Sequence, residues 1–264
     1  MTYLVFDIET VPDVELGKRL LSLGELKDEE AAKAMTFRQL QKTGSDFLPL
    51  YQHRVVAISV ALLAGDKLKV WSLGDPDSNE AELVRRFFDG LDHFAPELVS
   101  WNGGGFDLPV LHYRAMLHGI SAPRYWETGD EDRSFRYNNY LSRFHWRHID
   151  LMDVLSGFNP RARASLDAIA VMLGFPGKMG LQGDQVWGYH LEGKIDKIRQ
   201  YCETDVLNTY LVFLRFQHMR GILDEAQLGI ELDRVRRFLE SETEAHFRQF
   251  LDAWSGTESP ESGE

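Results

Sequence analysis

In YLVFDIET, residues 3–10, Leu4, Phe6 and Ile8 alternate with Tyr3, Val5, Asp7 and Glu9. A run this apolar predicts a strand inside an α/β sheet. Three more strands are expected at residues 55–63 (VVAISVALL), 67–73 (KLKVWSL) and 97–101 (ELVSW), with GDK at 65–67 making a hairpin of the second and third. Helical spacing follows in DSNEAELVRRFFDGL, with Asp77 or Ser78 as its cap, and in LPVLHYRAMLHGI, which stops at Gly119. RASLDAIAVMLGF, ended by Gly174, is another helix, and residues 193–221 form a long one with basic residues near its C-terminus. A final amphipathic helix is expected at about residues 232–254. HIDLMDVL reads as a strand-to-helix junction that accounts for Asp150 and Asp153, and Asp150 is placed to support a site from behind.

These elements predict the α/β class: a mixed sheet flanked by helices, one domain over residues 1–254, then a Ser/Gly/Pro/Glu tail at 255–264 expected to be disordered. Two connections are long. Residues 12–54 hold one helical segment, DEEAAKAMTFRQLQK, and no evident strand; residues 122–147 show little periodicity. The longest apolar run, VVAISVALLA, falls far short of the roughly 20 residues of a membrane span. A single cysteine, Cys202, excludes an intramolecular disulfide, and with no signal-like opening it predicts a reducing, cytoplasmic setting.

Charge changes the picture of possible partners. Lys and Arg number 29 against 41 Asp and Glu, a net of −12. That argues against broad coating of nucleic acid and suits a local site where metal ions supply the positive charge.

Asp7 and Glu9, two apart on a strand, leave the same face. Side by side they repel one another unless a cation lies between them, and a hard, oxygen-seeking ion such as Mg²⁺ or Mn²⁺ is the natural occupant. The alternative is that both sit at a solvated strand end and cap a turn at TVPD. In SWNGGGFDLPVL a strand ends at Trp101, three glycines turn the chain, and Asp107 stands where the next helix starts. Asp107 also reads as an ordinary helix N-terminus, and Asn102 either bonds the turn or reaches toward the first strand. In YCETDV, Tyr201 and Asp205 share a partly apolar helix face; Glu203 is expected on the solvated side and Cys202 as a core filler. His145, His148 and His190 lack zinc-like spacing and are expected to be structural.

D-x-E on a strand, then N-x-x-x-F-D, then Y-x-x-x-D on a helix resemble, in this order, the three motifs of the DEDD exonucleases in their tyrosine branch (DEDDy). The histidine branch would put its base at the position of Gln200, whereas Tyr201 fits the tyrosine branch. The resemblance is strongest to the proofreading 3′→5′ exonuclease domain of family B DNA polymerases and to stand-alone predicted exonucleases related to it, and covers residues 1–220 or so. It implies a ribonuclease H-like fold and two divalent metal ions, Mg²⁺ or Mn²⁺, held by Asp7, Glu9, Asp107 and Asp205. Those four acids and Tyr201 would be the catalytic residues, Tyr201 orienting the attacking water.

The activity so implied is two-metal 3′→5′ hydrolysis of single-stranded or frayed ends, DNA in preference to RNA, releasing nucleoside 5′-monophosphates. A 3′→5′ exoribonuclease and a catalytically silent nucleic-acid-binding scaffold are the alternatives. Asn102, Phe106, Arg136, Arg143 and Lys178 are the expected substrate contacts. Arg136 and Arg143 belong to residues 124–163, where Arg alternates with aromatics in a manner suited to single strands, or equally to a loop packed on the core with its Arg residues paired to Asp130, Glu131 and Asp132. The 12–54 insertion and the C-terminal helix are the expected surfaces for any protein partner.

Overall fold

The structure, a computed structural model, describes residues 2–180 and 182–257. The first strand, β1 (Thr2–Pro12), lies at the centre of a five-stranded sheet. On one side the hairpin of β2 (His53–Ala64) and β3 (Lys67–Ser72) pairs antiparallel with it. On the other, β4 (Glu97–Ser100) and then β5 (His148–Asp150) run parallel to it. The order β3-β2-β1-β4-β5 makes a mixed sheet, as the strand and helix pattern of the sequence leads one to expect.

Alternation along β1 sorts its side chains as the pattern requires. Leu4, Phe6 and Ile8 face a core built with Phe87, Phe88 and Leu91 of α3 (Glu80–Phe94) and Leu108 and Leu111 of α4 (Asp107–Leu117). Val5 faces the opposite core, with Val206, Tyr210 and Phe213 of the long helix Ile195–Met219. Residues 12–54 fold into α1 (Val14–Leu21) and α2 (Asp28–Thr43), packed on each other through Val14, Ala31, Ala32 and Met35. After β5 come α5 (Leu151–Leu155), α6 (Leu166–Met172), α7 (Val186–Leu191) and α8 (Ile195–Met219). Helix α8 is buried along most of its length because the sheet covers one side and α6 and the last two helices the other.

Several expectations need correction. The cap of α3 is Asn79, whose Oδ1 accepts the Glu82 N–H at 3.0 Å, rather than Asp77 or Ser78. The C-terminal helix expected at 232–254 is two helices, α9 (Glu225–Ser241) and α10 (Ala245–Thr257), because an Asp224/Gln227 capping box starts α9 earlier and the backbone leaves helical geometry at Glu242. α10 continues to Thr257, so the expected tail overlaps its end, and residues 258–264 lie outside the described residues. The 122–147 connection stays irregular and is held by buried Tyr125, Phe135 and Tyr140.

One buried ion network joins the start of the 12–54 insertion to this frame. The Arg114 guanidinium on α4 donates to Asp13 Oδ2 at 2.6 Å and, through Nε and Nη2, to both oxygens of Glu80 at 2.7 and 2.5 Å. Glu80 also accepts the Val55 N–H at 2.7 Å, and its Oε2 lies 2.8 Å from His118 Nε2. Arg114→Ala is expected to destabilise the protein by about 3–5 kcal/mol in urea unfolding, because it strands two buried carboxylates without their cation. A loss below 1 kcal/mol would show that these charges are solvated in solution.

Candidate active site

The acids of β1 emerge on its α8 side. Pairing of β1 with β4 stops at Val5, so the strand edge beyond it is open to other partners. Asp107, in the first turn of α4, fills that place: its Oδ1 accepts the Ile8 N–H, between Asp7 and Glu9, at 3.1 Å. Asp107 is therefore both a helix N-terminal acid and a member of the cluster. A register shift in the β1–β2 pairing falls between Glu9 and Thr10, where the strand bends away beside the acids. From the opposite layer α8 presents Tyr201 and Asp205, one turn apart and both buried.

The turn before α4 is set by close approach. A Cβ at Gly103 would lie 2.3 Å from Ser100 Oγ and one at Gly105 2.5 Å from Asn102 Oδ1. Asn102 itself has φ +66°, a conformation Asn tolerates better than most residues. Asp150 ties this turn down: Oδ1 accepts the Asn102 N–H and Oδ2 the Gly104 N–H, both at 2.9 Å. Asp150 thus holds the turn that leads to Asp107, and Asn102 builds that turn.

Burial raises every carboxyl of the cluster, and repulsion from the other members adds to it at Asp7 and Glu9. Asp7 is pushed well above the usual range, first by desolvation and then by Asp107, Glu9 and Asp205. Glu9 rises likewise through desolvation, Asp205 and Asp107, with Lys178 opposing. Burial lifts Asp107 to about 7, and Asp205 to about 6 against the pull of Lys178 and the Tyr201 hydroxyl. Desolvation and the neighbouring carboxylates hold the Tyr201 hydroxyl protonated far beyond neutral pH. Asp205 Oδ1 is buried without a hydrogen-bond partner among the described residues. Cys202 Sγ lies 3.6 Å from Asp7 Oδ2, and one ligand atom each of Asp7, Glu9 and Cys202 fall within 4.8 Å of one another. Burial keeps that thiol protonated.

Of the expected substrate contacts, Lys178 is beside the cluster, its Nζ 5.7 Å from the Tyr201 ring centre. Phe106, just before Asp107, faces a cleft of about 660 Å³ that also reaches Ile8 and Glu9. Arg143 is bound to Asp153 at 3.1 Å and lies over Phe158 at 4.6 Å, while Arg136 is exposed over Tyr137. The Arg-aromatic segment divides: Arg147 packs 4.0 Å over buried Phe135 and Arg124 pairs with Asp132, whereas Tyr137 and Phe144 face solvent.

Glu203 was expected in solvent and is not there. Its Oε1 accepts the Ser72 hydroxyl at 2.6 Å and its Oε2 lies 2.7 Å from His246 Nε2, so it joins α8 to β3 and α10. Helical periodicity alone had no means of showing that a second layer covers that side. The other residues missed were Phe47, His53 and Trp187, which line the cleft by Glu9; they come from distant segments without motif spacing.

The raised carboxyls have a consequence for metal-free protein. Between the ordinary Asp value of 3.8 and about 7 the fold holds more protons on Asp107 than the unfolded chain does, so stability falls as pH rises through that window. In EDTA the melting temperature is expected to drop from pH 5 to pH 8, and the drop to be smaller in Asp107→Asn. Identical profiles would mean that Asp107 is not buried against its neighbours.

A model of the family described as predicted 3′-5′ exonuclease related to the exonuclease domain of PolB matches residues 45–254. Asp107, Tyr201 and Asp205 lie inside the matched stretch; Asp7 and Glu9 precede it. The DNA polymerase epsilon catalytic subunit from Schizosaccharomyces pombe is 27% identical over 151 residues, 54% of this chain and 6% of that protein. Its Saccharomyces cerevisiae counterpart is 25% identical over 149 residues, with the same two shares. The chain thus spans only a small part of the length of these relatives. Among solved structures, the family B DNA polymerase of Pyrobaculum calidifontis aligns with a TM-score of 0.49 at 18% identity, covering 89% of this chain and 26% of that one. Among the described residues no helix is long and apolar enough to cross a membrane. By the extent of the family match, this chain belongs to the predicted 3′-5′ exonucleases related to the exonuclease domain of PolB.

Proposed function

We propose that the protein is a DEDDy-type, metal-dependent 3′→5′ exonuclease that removes nucleoside 5′-monophosphates from unpaired DNA ends. The observation that carries this reading is the convergence of Asp7, Glu9, Asp107 and Asp205 with Tyr201 at one end of the sheet, where burial raises all four carboxyls and repulsion adds to it at Asp7 and Glu9. A silent scaffold would gain nothing from such a cluster. DNA is favoured because the relatives matched are DNA polymerases.

Divalent ions fit the donor set. The four acids supply the hard oxygens that Mg²⁺ or Mn²⁺ prefers, and the unpartnered Asp205 Oδ1 is an oxygen free to ligate. Asp7, Glu9, Asp107 and Asp205 would hold them, while the protonated Cys202 would stay out of the ligand set. Bound there, such ions would lower the pKa of water and would offset charge on the departing 3′ oxygen. The chain's own groups do the positioning. Tyr201, kept protonated, donates a hydrogen bond that orients the attacking water against the terminal phosphodiester. Lys178, whose charge acts on Glu9 and Asp205, would meet the phosphate.

Wild type with Mn²⁺ or Mg²⁺ is expected to shorten a 5′-labelled single-stranded DNA stepwise from its 3′ end, and the matching RNA less well. Asp7→Ala and Tyr201→Phe should each lower the rate at least about 10²-fold. Mn²⁺ should also raise the melting temperature of wild type and not of Asp7→Ala. Loss of neither activity nor metal response in Asp7→Ala would remove the cluster from the mechanism, and faster cutting of RNA would reverse the sugar preference.

A further inference from the structure

Beside Glu9 the 12–54 insertion makes one wall of a cleft, to which it contributes Phe47 and His53, while Phe106 and Trp187 line the cleft from elsewhere in the chain. We infer that Phe47, with Phe106 and Trp187, forms a stacking slot for the unpaired 3′-terminal nucleobase, so that the insertion selects which ends reach the carboxylates. The inference rests on the exonuclease reading for the identity of the strand it receives, and adds to it the residues that grip the base.

The slot is built in advance. His53 is the brace: burial lowers its pKa, so the ring is neutral at neutral pH. Its Nε2 lies 3.2 Å from the Leu48 carbonyl, an acceptor only, so Nε2 carries the proton. Nδ1 is then left to accept the Thr10 hydroxyl at 2.9 Å. Fixed at both nitrogens, the ring stands perpendicular to Phe106 with centroids 5.2 Å apart, and lies 5.3 Å from Phe47. Phe47 and Phe106 are 5.9 Å apart with their planes tilted by 56°, so the base would stack on the open face of Phe47 and not between the two rings. Phe106 immediately precedes Asp107 and Thr10 follows Glu9, so the aromatic wall and the carboxylates are set by the same backbone segments.

The charges around the cleft decide what part of a nucleotide it takes. Glu9, Glu29, Asp46 and Asp184 line it, and Lys33, the lysine among its described lining residues, is held by Glu29 at 2.7 Å. No arginine lines it among the described residues. Acidic walls repel a phosphate and tolerate a neutral ring, whereas Lys178, over the Tyr201 ring and not among the residues lining the cleft, is the group suited to the phosphate. Base stacking on aromatic side chains is indifferent to sequence, since every base has a flat face. Phe47 is 55% exposed, as a ring waiting for a partner would be, and its removal leaves no core cavity.

The test uses a single-stranded DNA with 2-aminopurine as its 3′-terminal base, titrated with full-length protein in Ca²⁺. Binding of wild type is expected to quench the terminal fluorescence. Phe47→Ala should relieve the quench and weaken binding about 5- to 150-fold, the loss of one base–aromatic stack, while Phe47→Trp retains both. In Mn²⁺ the ratio of kcat/KM for a base-bearing end over an abasic end should fall at least 5-fold in Phe47→Ala. If wild type cuts the strand but the bound 2-aminopurine stays bright and the ratio is unchanged in Phe47→Ala, the slot is overturned and the exonuclease stands. If nothing is cut, yet quenching occurs and depends on Phe47, the slot stands and the exonuclease reading falls.

Discussion

Four carboxylates gathered at one end of a sheet repel one another, and much of the surrounding structure serves to hold them there. Burial adds to the repulsion, because each acid loses water as well as gaining charged neighbours. The backbone opposes it with fixed hydrogen bonds. Ile8 N–H holds Asp107, and the turn that delivers Asp107 is clamped by Asp150 through two main-chain donors. On the far side Asp205 rides on a long helix that is itself pinned by Glu203 to β3 and α10.

The same economy of placement extends to the insertion. Its entry point, Asp13, is bound by Arg114 from α4, the helix that begins with Asp107. Its far end returns through Phe47 and Leu48 to the brace formed by His53, next to the strand bend at Glu9. The excursion leaves and rejoins the sheet at the end of β1 that carries Glu9, and it lines one side of the cleft beside that residue. Pairing of the Arg residues in 124–163 with Asp132 and Asp153, by contrast, uses much of that segment's positive charge in holding its own loop.

Where sequence reading succeeded, the signal was local. The alternation in YLVFDIET sorted Leu4, Phe6 and Ile8 from Val5, Asp7 and Glu9, and the two cores respect that division. The hairpin, the glycine turn and the Tyr201–Asp205 spacing are also short-range patterns, and each is present. Failures came where a distant layer intervened. Glu203 reads as solvated until α10 and β3 are laid over it. The break between α9 and α10 was hidden because amphipathic spacing resumes in phase on both sides of it.

The sequence by itself determined the strand and helix types, the α/β class and the identity of the acids, because those depend on residues a few positions apart. Tertiary structure alone decided that acids 98 residues apart in Asp107 and Asp205 share one buried place with Asp7 and Glu9, and that Phe47, His53 and Trp187 stand beside them. The physical reason is that repulsion, desolvation and aromatic contact act through space over a few ångströms, and a linear chain carries no record of which distant segments the packing of its two cores will bring within that range.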